Sequence, residues 1–391
     1  MTRSRNPAST AAPVETAAHH RPLVAFWLLA ATLGPAATAD TVQPLTIDHY
    51  VAHRSTVPAI EGQHVQLYLR ERVLPAVVAR GAALENRVVL FVHGAGTPAE
   101  VAFDVPYEDY SWMAYLATAG YDVFSVDITG YGRSTRPHVM NDSCNLSRED
   151  QIALRLRAEA CAPSYDRPAT TIASDWDDID RAVEHIRALR GVDRVALFGW
   201  SLGGPRAGGY AARHPDKVSK LVLLAPAYSR SSPSSEPAAT PGGAAITSQS
   251  RATFDANWRR QVGCESQYDA AVADSVWSEM IASDPVGATW GPGIRRAPRT
   301  LVWGWDEQTV GRQRTPALLI AAVHDGQVAA ERVRELFDDY GAEQKVLIDL
   351  GCASHNAMWE RVHDLMFAAS LEWLESTTVD GMSQGIVRLG Y

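Results

Sequence analysis

A serine between two glycines, Gly199-Trp200-Ser201-Leu202-Gly203, follows a strand-like run from Arg194 to Phe198 and precedes a small-residue stretch, Gly203 to Tyr210, that leads into Ala211-Ala212-Arg213-His214-Pro215. A chain that turns sharply from strand to helix at such a G-x-S-x-G holds the serine in a strained backbone conformation, and flanking glycines, having no Cβ, tolerate it. The hydroxyl then projects from the carboxyl end of a sheet. As a bare pattern the motif is common; with a strand before it and a helix after it, it demands an α/β architecture.

The rest of the chain supplies that architecture. Arg87 to Val92, Tyr121 to Val126, Lys220 to Ala225, Pro316 to Val323 and Lys345 to Ile348 are continuous apolar runs of the kind that bury both faces in a parallel sheet. Residues 40–86 carry alternating stretches such as His64 to Arg70, which predict antiparallel strands ahead of it. Helical spacing marks Tyr107 to Ala119, Val328 to Tyr340 and Met358 to Leu374. A fourth helix is capped by Ser174, has Trp176, Ile179, Val183, Ile186 and Leu189 on one face, and stops at Gly191. Its Asp175, Asp177 and Asp178 read as solvated complements to the helix dipole. Residues 136–167 exceed a simple connection and predict an excursion with a helix from Ser147 to Ala160. The expected fold is α/β, a mostly parallel central sheet flanked by helices, with a core over 40–226 and 315–391. A lid over 227–314 is inserted after the sixth strand.

The net charge of −9, with no basic run, argues against nucleic acid as a partner. Arg3, Arg5 and Arg21 precede the apolar run Leu23 to Leu33, and Ala37-Thr38-Ala39 offers small residues before Asp40. This is the pattern of a signal peptide over 1–39, cleaved after Ala39. The expected location is secreted or periplasmic, with no stable membrane span after cleavage, since the run is too short for one. An oxidising compartment gives meaning to the four cysteines. They allow three pairings, among which sequence does not choose; the preferred one joins Cys144 to Cys161 and Cys264 to Cys352, the alternative being four unpaired thiols. Asn141 and Asn145 match the glycosylation acceptor pattern. No Cys/His spacing suited to a metal is present.

Serine needs a base to accept its proton as it attacks, and histidine titrates in the right range. A carboxylate behind the imidazole holds the reactive tautomer. Ser201, Asp325 and His355 occur in the order Ser, Asp, His, each after a predicted strand. His324 is a rival base, disfavoured because it adjoins Asp325 on a tight turn. Asp127 precedes the serine and reads as structural, as does His93. Together with the turn His93-Gly94-Ala95-Gly96, these residues make the chain from about Val65 to Leu374 resemble the α/β-hydrolase superfamily; locally, the elbow also resembles that of pimeloyl-carrier methyl ester esterases. The resemblance implies a serine esterase with Ser201 as nucleophile, His355 as base and Asp325 as acid. The amides of Ala95 and Leu202 would form its oxyanion hole, and no metal or organic cofactor is needed. A serine at the elbow departs from epoxide hydrolases and haloalkane dehalogenases, whose nucleophile is aspartate. The same triad supports carbon-carbon or amide hydrolysis or acyl transfer, and a non-catalytic binding protein on this scaffold is the remaining alternative. The substrate is expected to be a small molecule. Trp258, Trp277, Trp290, Trp303 and Trp305 in the lid either pack its own small core or cover a cavity suited to an apolar or aromatic ester. Oligomeric state is left open.

Overall fold

The computed structural model describes residues 42–80 and 84–391, so the expected signal peptide and its cleavage site lie outside the described residues. Strands β1 (Leu45–Arg54) and β2 (His64–Val73) form a hairpin, followed by β3 (Val88–Val92), β4 (Asp122–Asp127), a two-residue β5 (Thr170–Thr171), β6 (Val195–Trp200) and β7 (Val218–Leu224). Then come β8 (Ile246–Ser250), β9 (Ile294–Pro298), a two-residue β10 (Thr300–Leu301), β11 (Ala317–Ala322), β12 (Lys345–Leu350) and β13 (Gln384–Leu389). Nine of them form one sheet in the order β1-β2-β4-β3-β6-β7-β11-β12-β13. Its β1–β2 and β2–β4 pairings are antiparallel and the others parallel, as the alternating and continuous apolar patterns require.

Successive strand residues enter opposite cores. Phe91, Phe198, Val222 and Ile320 pack on one face, and Leu90, Leu197, Leu223 and Leu319 on the other. The parallel register brings the carboxyl ends of β3, β6, β11 and β12 to one rim, where the residues of interest follow each strand.

Several local expectations need correction. The helix Ile172–Arg190 is capped by Thr171, with Ser174 reciprocating as the third residue of a capping box. Asp175 and Asp178 are buried, Asp175 paired with Arg206 and Asp178 accepting the Thr129 amide (2.8 Å), so only Asp177 on that turn faces solvent. The predicted helix Ser147 to Ala160 is only Arg148–Ala153, because Arg155 turns the chain with φ 51° and Cys161 returns to its partner Cys144. Helix Trp112–Thr118 starts later than expected, at its Ser111 cap. The stretch from Met358 begins as a single turn, and its helix runs His363–Ser376. Strand β13 was not legible: it is a largely exposed edge strand with no apolar run. Asn145 is buried with its side-chain amide bonded to Val139 and Tyr165, which removes it as a glycosylation acceptor in the folded chain.

Residues 227–314 contain the antiparallel pair β8–β9 and the helices Arg251–Arg259 and Ala270–Ala282. The second disulfide, Cys264–Cys352, ties this segment to the loop after β12. Among the described residues no helix is long and apolar enough to cross a membrane.

Candidate active site

Ser201 directly follows β6 and adopts φ 57°, the left-handed conformation that the elbow forces on it. Its amide donates to Leu224 O (3.0 Å), pinning the turn to β7. The backbone approaches are too close for side chains: a Cβ on Gly203 would lie 2.5 Å from Val92 O, and one on Gly94 would lie 2.8 Å from the Ser201 Cβ. Glycine at these positions therefore seats the elbow against the end of β3. Beyond it the chain makes a wide turn over Gly204–Gly208 before the short helix Gly209–Arg213.

Asp325 and His355 come from the loops after β11 and β12 and meet at that rim. Asp325 Oδ1 accepts the amides of Gln327 (2.7 Å) and Val328 (2.8 Å), which aims Oδ2 at His355 Nδ1, 2.7 Å away. With Nδ1–H donated to the carboxylate, Nε2 is left as the basic nitrogen. The carbonyl of His355 accepts the indole N–H of Trp200, next to the elbow serine (2.8 Å). Ser201, His355 and Ala95 line one cavity of about 90 Å³, and the Ser201 hydroxyl has no hydrogen-bond partner among the described residues. His324 faces elsewhere, its Nε2 3.7 Å from Cys264 Sγ.

The backbone donors are arranged as follows. Gly96 N–H points to the hydroxyl of Tyr131 (3.4 Å), whereas the amides of Ala95 and Leu202 donate to no acceptor among the described residues. Leu202 is absent from the lining of this cavity and lines a neighbouring hollow with Pro205, Ala227 and Tyr228.

Beneath the turn lies a buried ionic floor. Arg206 donates to the carbonyls of His93 (3.0 Å) and Gly94 (2.9 Å) and pairs with Asp175 (2.7 Å), both side chains being fully buried. Burial pushes the Asp175 carboxyl up to about 6 against the pull of Arg206. His93 accepts the Ile128 amide at Nε2 and faces Gly94 O with Nδ1; burial, then Arg206, push its imidazole well below the usual range, so it stays neutral. Asp127 takes the amides of Ala99 (2.8 Å) and Arg133 (3.0 Å), holding two loops rather than facing the cavity.

The segment 227–314 contributes more than sequence showed. Gln261 Oε1 accepts from the amides of Gly326 (2.9 Å) and His355 (3.4 Å), bridging the two loops that carry Asp325 and His355. The buried Glu360 gathers Ser354, Trp258 and Gln267, joining the same segment to the His355 loop. No local pattern marks a glutamine as a bridge between residues 65 and 94 positions away; only the capacity of an amide oxygen to accept twice hints at it. The five tryptophans pack rather than line the cavity. Trp258 stacks on Tyr268, Trp303 and Trp305 enter the core with Tyr210, Trp290 lies under Arg296, and Trp277 backs Phe254. The segment presents Gln249, Phe254, Asn257, Met280 and Arg295 to the cavity instead. Among the described residues no group of three His, Cys, Asp or Glu side chains is placed to hold a metal ion.

A family model described as the alpha/beta hydrolase fold matches residues 87–362. The chain is 27% identical over 104 residues to the 1-acylglycerol-3-phosphate O-acyltransferase ABHD5 of Sus scrofa, covering 27% of this chain and 22% of that protein. It is 48% identical over 46 residues to the poly(3-hydroxyalkanoate) polymerase subunit PhaC of Allochromatium vinosum, covering 12% and 13%. The chain thus spans less than a quarter of the length of these curated relatives. Carboxylesterase CesB (YbfK) from Bacillus subtilis shares the fold, with a TM-score of 0.50 at 12% identity over 86% of this chain and 93% of that one.

Proposed function

Because the chain belongs to the alpha/beta hydrolase fold family, we propose that it is a serine hydrolase that cleaves a carboxylic ester of a small molecule through an acyl-enzyme on Ser201. The observation that carries this reading is the 2.7 Å hydrogen bond from His355 to Asp325 at the cavity that Ser201 also lines. In the reaction, Ser201 Oγ attacks the ester carbonyl as its proton passes to His355 Nε2, and Asp325 stabilises the imidazolium. The carbonyl oxygen becomes an anion facing the uncommitted amides of Ala95 and Leu202. Collapse expels the alcohol, which takes the proton from His355. Water, deprotonated by the same imidazole, then attacks the acyl-enzyme and releases the acid.

Residues 227–314 are proposed as a cap on this site, anchored through Gln261, Glu360 and the Cys264–Cys352 bridge. Export with cleavage after Ala39 is proposed alongside, and the two disulfides are compatible with it.

Replacing Ser201 or His355 by Ala should lower kcat on a short-chain ester by at least about 10⁴-fold. It should leave the melting temperature near that of the wild type, and Ser201→Ala should abolish labelling by an organophosphonate. A Ser201→Ala variant that keeps more than about 1% of wild-type turnover would overturn the assignment, as would dependence on His324 in place of His355.

A further inference from the structure

Arg295 stands at the cavity without a counter-charge. It lies on β9 beside Arg296, and because successive strand side chains point to opposite faces the two arginines part company. Arg296 pairs with Asp284 at 2.7 Å, while Arg295 lines the cavity of Ser201 and His355. The guanidinium of Arg295 lies against the turn that carries Ala95: a Cβ on Gly96, whose φ is +86°, would fall directly on it. Among the described residues its one acceptor is Gln249 Oε1, 3.2 Å from Nε and 3.0 Å from Nη2, and no carboxylate comes within 4.0 Å.

A guanidinium has five N–H donors in a planar fork, so one neutral acceptor leaves most of that fork unused. Burial pushes it down to about 10, still far enough above neutrality to keep it protonated. A partly buried, uncompensated cation is costly to the fold alone. Its cost is removed when an anion enters the cavity.

We propose that Arg295 determines specificity by binding a free carboxylate on the substrate, so that the ester cleaved at Ser201 is the half-ester of a short dicarboxylic acid. This deepens the ester-hydrolase reading and rests on it. Gln249 fixes the fork from one side, leaving Nη1 and the outer Nη2 hydrogen for a bidentate grip. Arg295 and Ser201 line the same cavity of about 90 Å³, so the chain joining the two carboxyl groups is short.

The test compares monomethyl glutarate with dimethyl glutarate, which differ in whether the second carboxyl is charged. The wild type should favour the half-ester in kcat/KM by at least about tenfold, and Arg295→Gln should reduce that ratio at least about tenfold, with Arg295→Lys between the two. Equal losses on both esters would mean that the guanidinium serves the oxyanion or the fold, and would overturn the proposal. So would a wild-type preference for the diester, a result that needs no variant to fold. A second arm uses calorimetry of succinate, glutarate and adipate on Ser201→Ala, where hydrolysis plays no part. Binding there that disappears in Ser201→Ala/Arg295→Gln, together with a wild type that turns over no ester, would sustain the anion site and sink the esterase reading. Ester turnover by the wild type without binding of any of the three diacids would do the reverse.

Discussion

Arg206 and Arg295 reach the same turn, the first at His93 and Gly94 and the second at Gly96, and they differ in what balances their charge. Below the turn, Arg206 is fully buried, holds two backbone carbonyls and is matched by Asp175. Above it, Arg295 meets a single neutral glutamine and the open volume beside Ser201. A buried charge that is paired and hydrogen-bonded serves the scaffold, whereas one left unpaired beside a cavity is set for something that is not always there. The difference separates the charge that props the turn His93 to Gly96 from the one proposed to meet the substrate.

Removing the counter-charge below should have the largest effect. Asp175→Ala strands Arg206 in the core and should cost about 3–5 kcal/mol in denaturant unfolding. A loss under about 1 kcal/mol would mean that the floor is not ionic in solution. The same measurement on Arg295→Met should move the other way, with a gain of up to about 1 kcal/mol, because it discards a charge that the unliganded fold does not compensate. A loss of several kcal/mol there would make Arg295 another scaffold residue and erase the contrast.

The smallest effect is a pH slope. The native carboxyl of Asp175 titrates at about 6, above the ordinary range near 3.8, so between those values the native state holds a proton that the unfolded chain has released. Stability from this group is therefore fully present below pH 4 and declines as pH rises to about 6. Asp175→Asn should flatten that part of the profile of unfolding free energy against pH. Parallel profiles for variant and wild type would show that the carboxyl is not desolvated as described.

The loops that bring Ser201, Asp325 and His355 to one rim were legible because their signals are local. Strand runs read to Val92, Phe198, Val323 and Ile348, glycines at 94, 199 and 203, and the order Ser201, Asp325, His355 are all written in the sequence. Parallel pairing then leaves little freedom in where they meet. The cysteine pairing was one of three open choices, and helix starts slipped by a few residues wherever capping competed with apolar period, as at Thr171 and Ser111. The cavity lining was left open, because the tryptophans of 227–314 are conspicuous in composition and only their neighbours decide that they pack. Gln249, Gln261 and Glu360 have no local signature at all.

Taken alone, the order of amino acids determined the α/β sheet, the elbow at Ser201 and the residues that follow the strand ends, since backbone strain and side-chain period act over a few neighbours. Tertiary structure decided which charges are answered. Arg295 and Arg296 are adjacent and chemically identical in the chain, yet strand alternation sends Arg296 to Asp284 and Arg295 to the cavity beside Ser201. Charge compensation is a property of what packs across space, and no spacing along the chain records it.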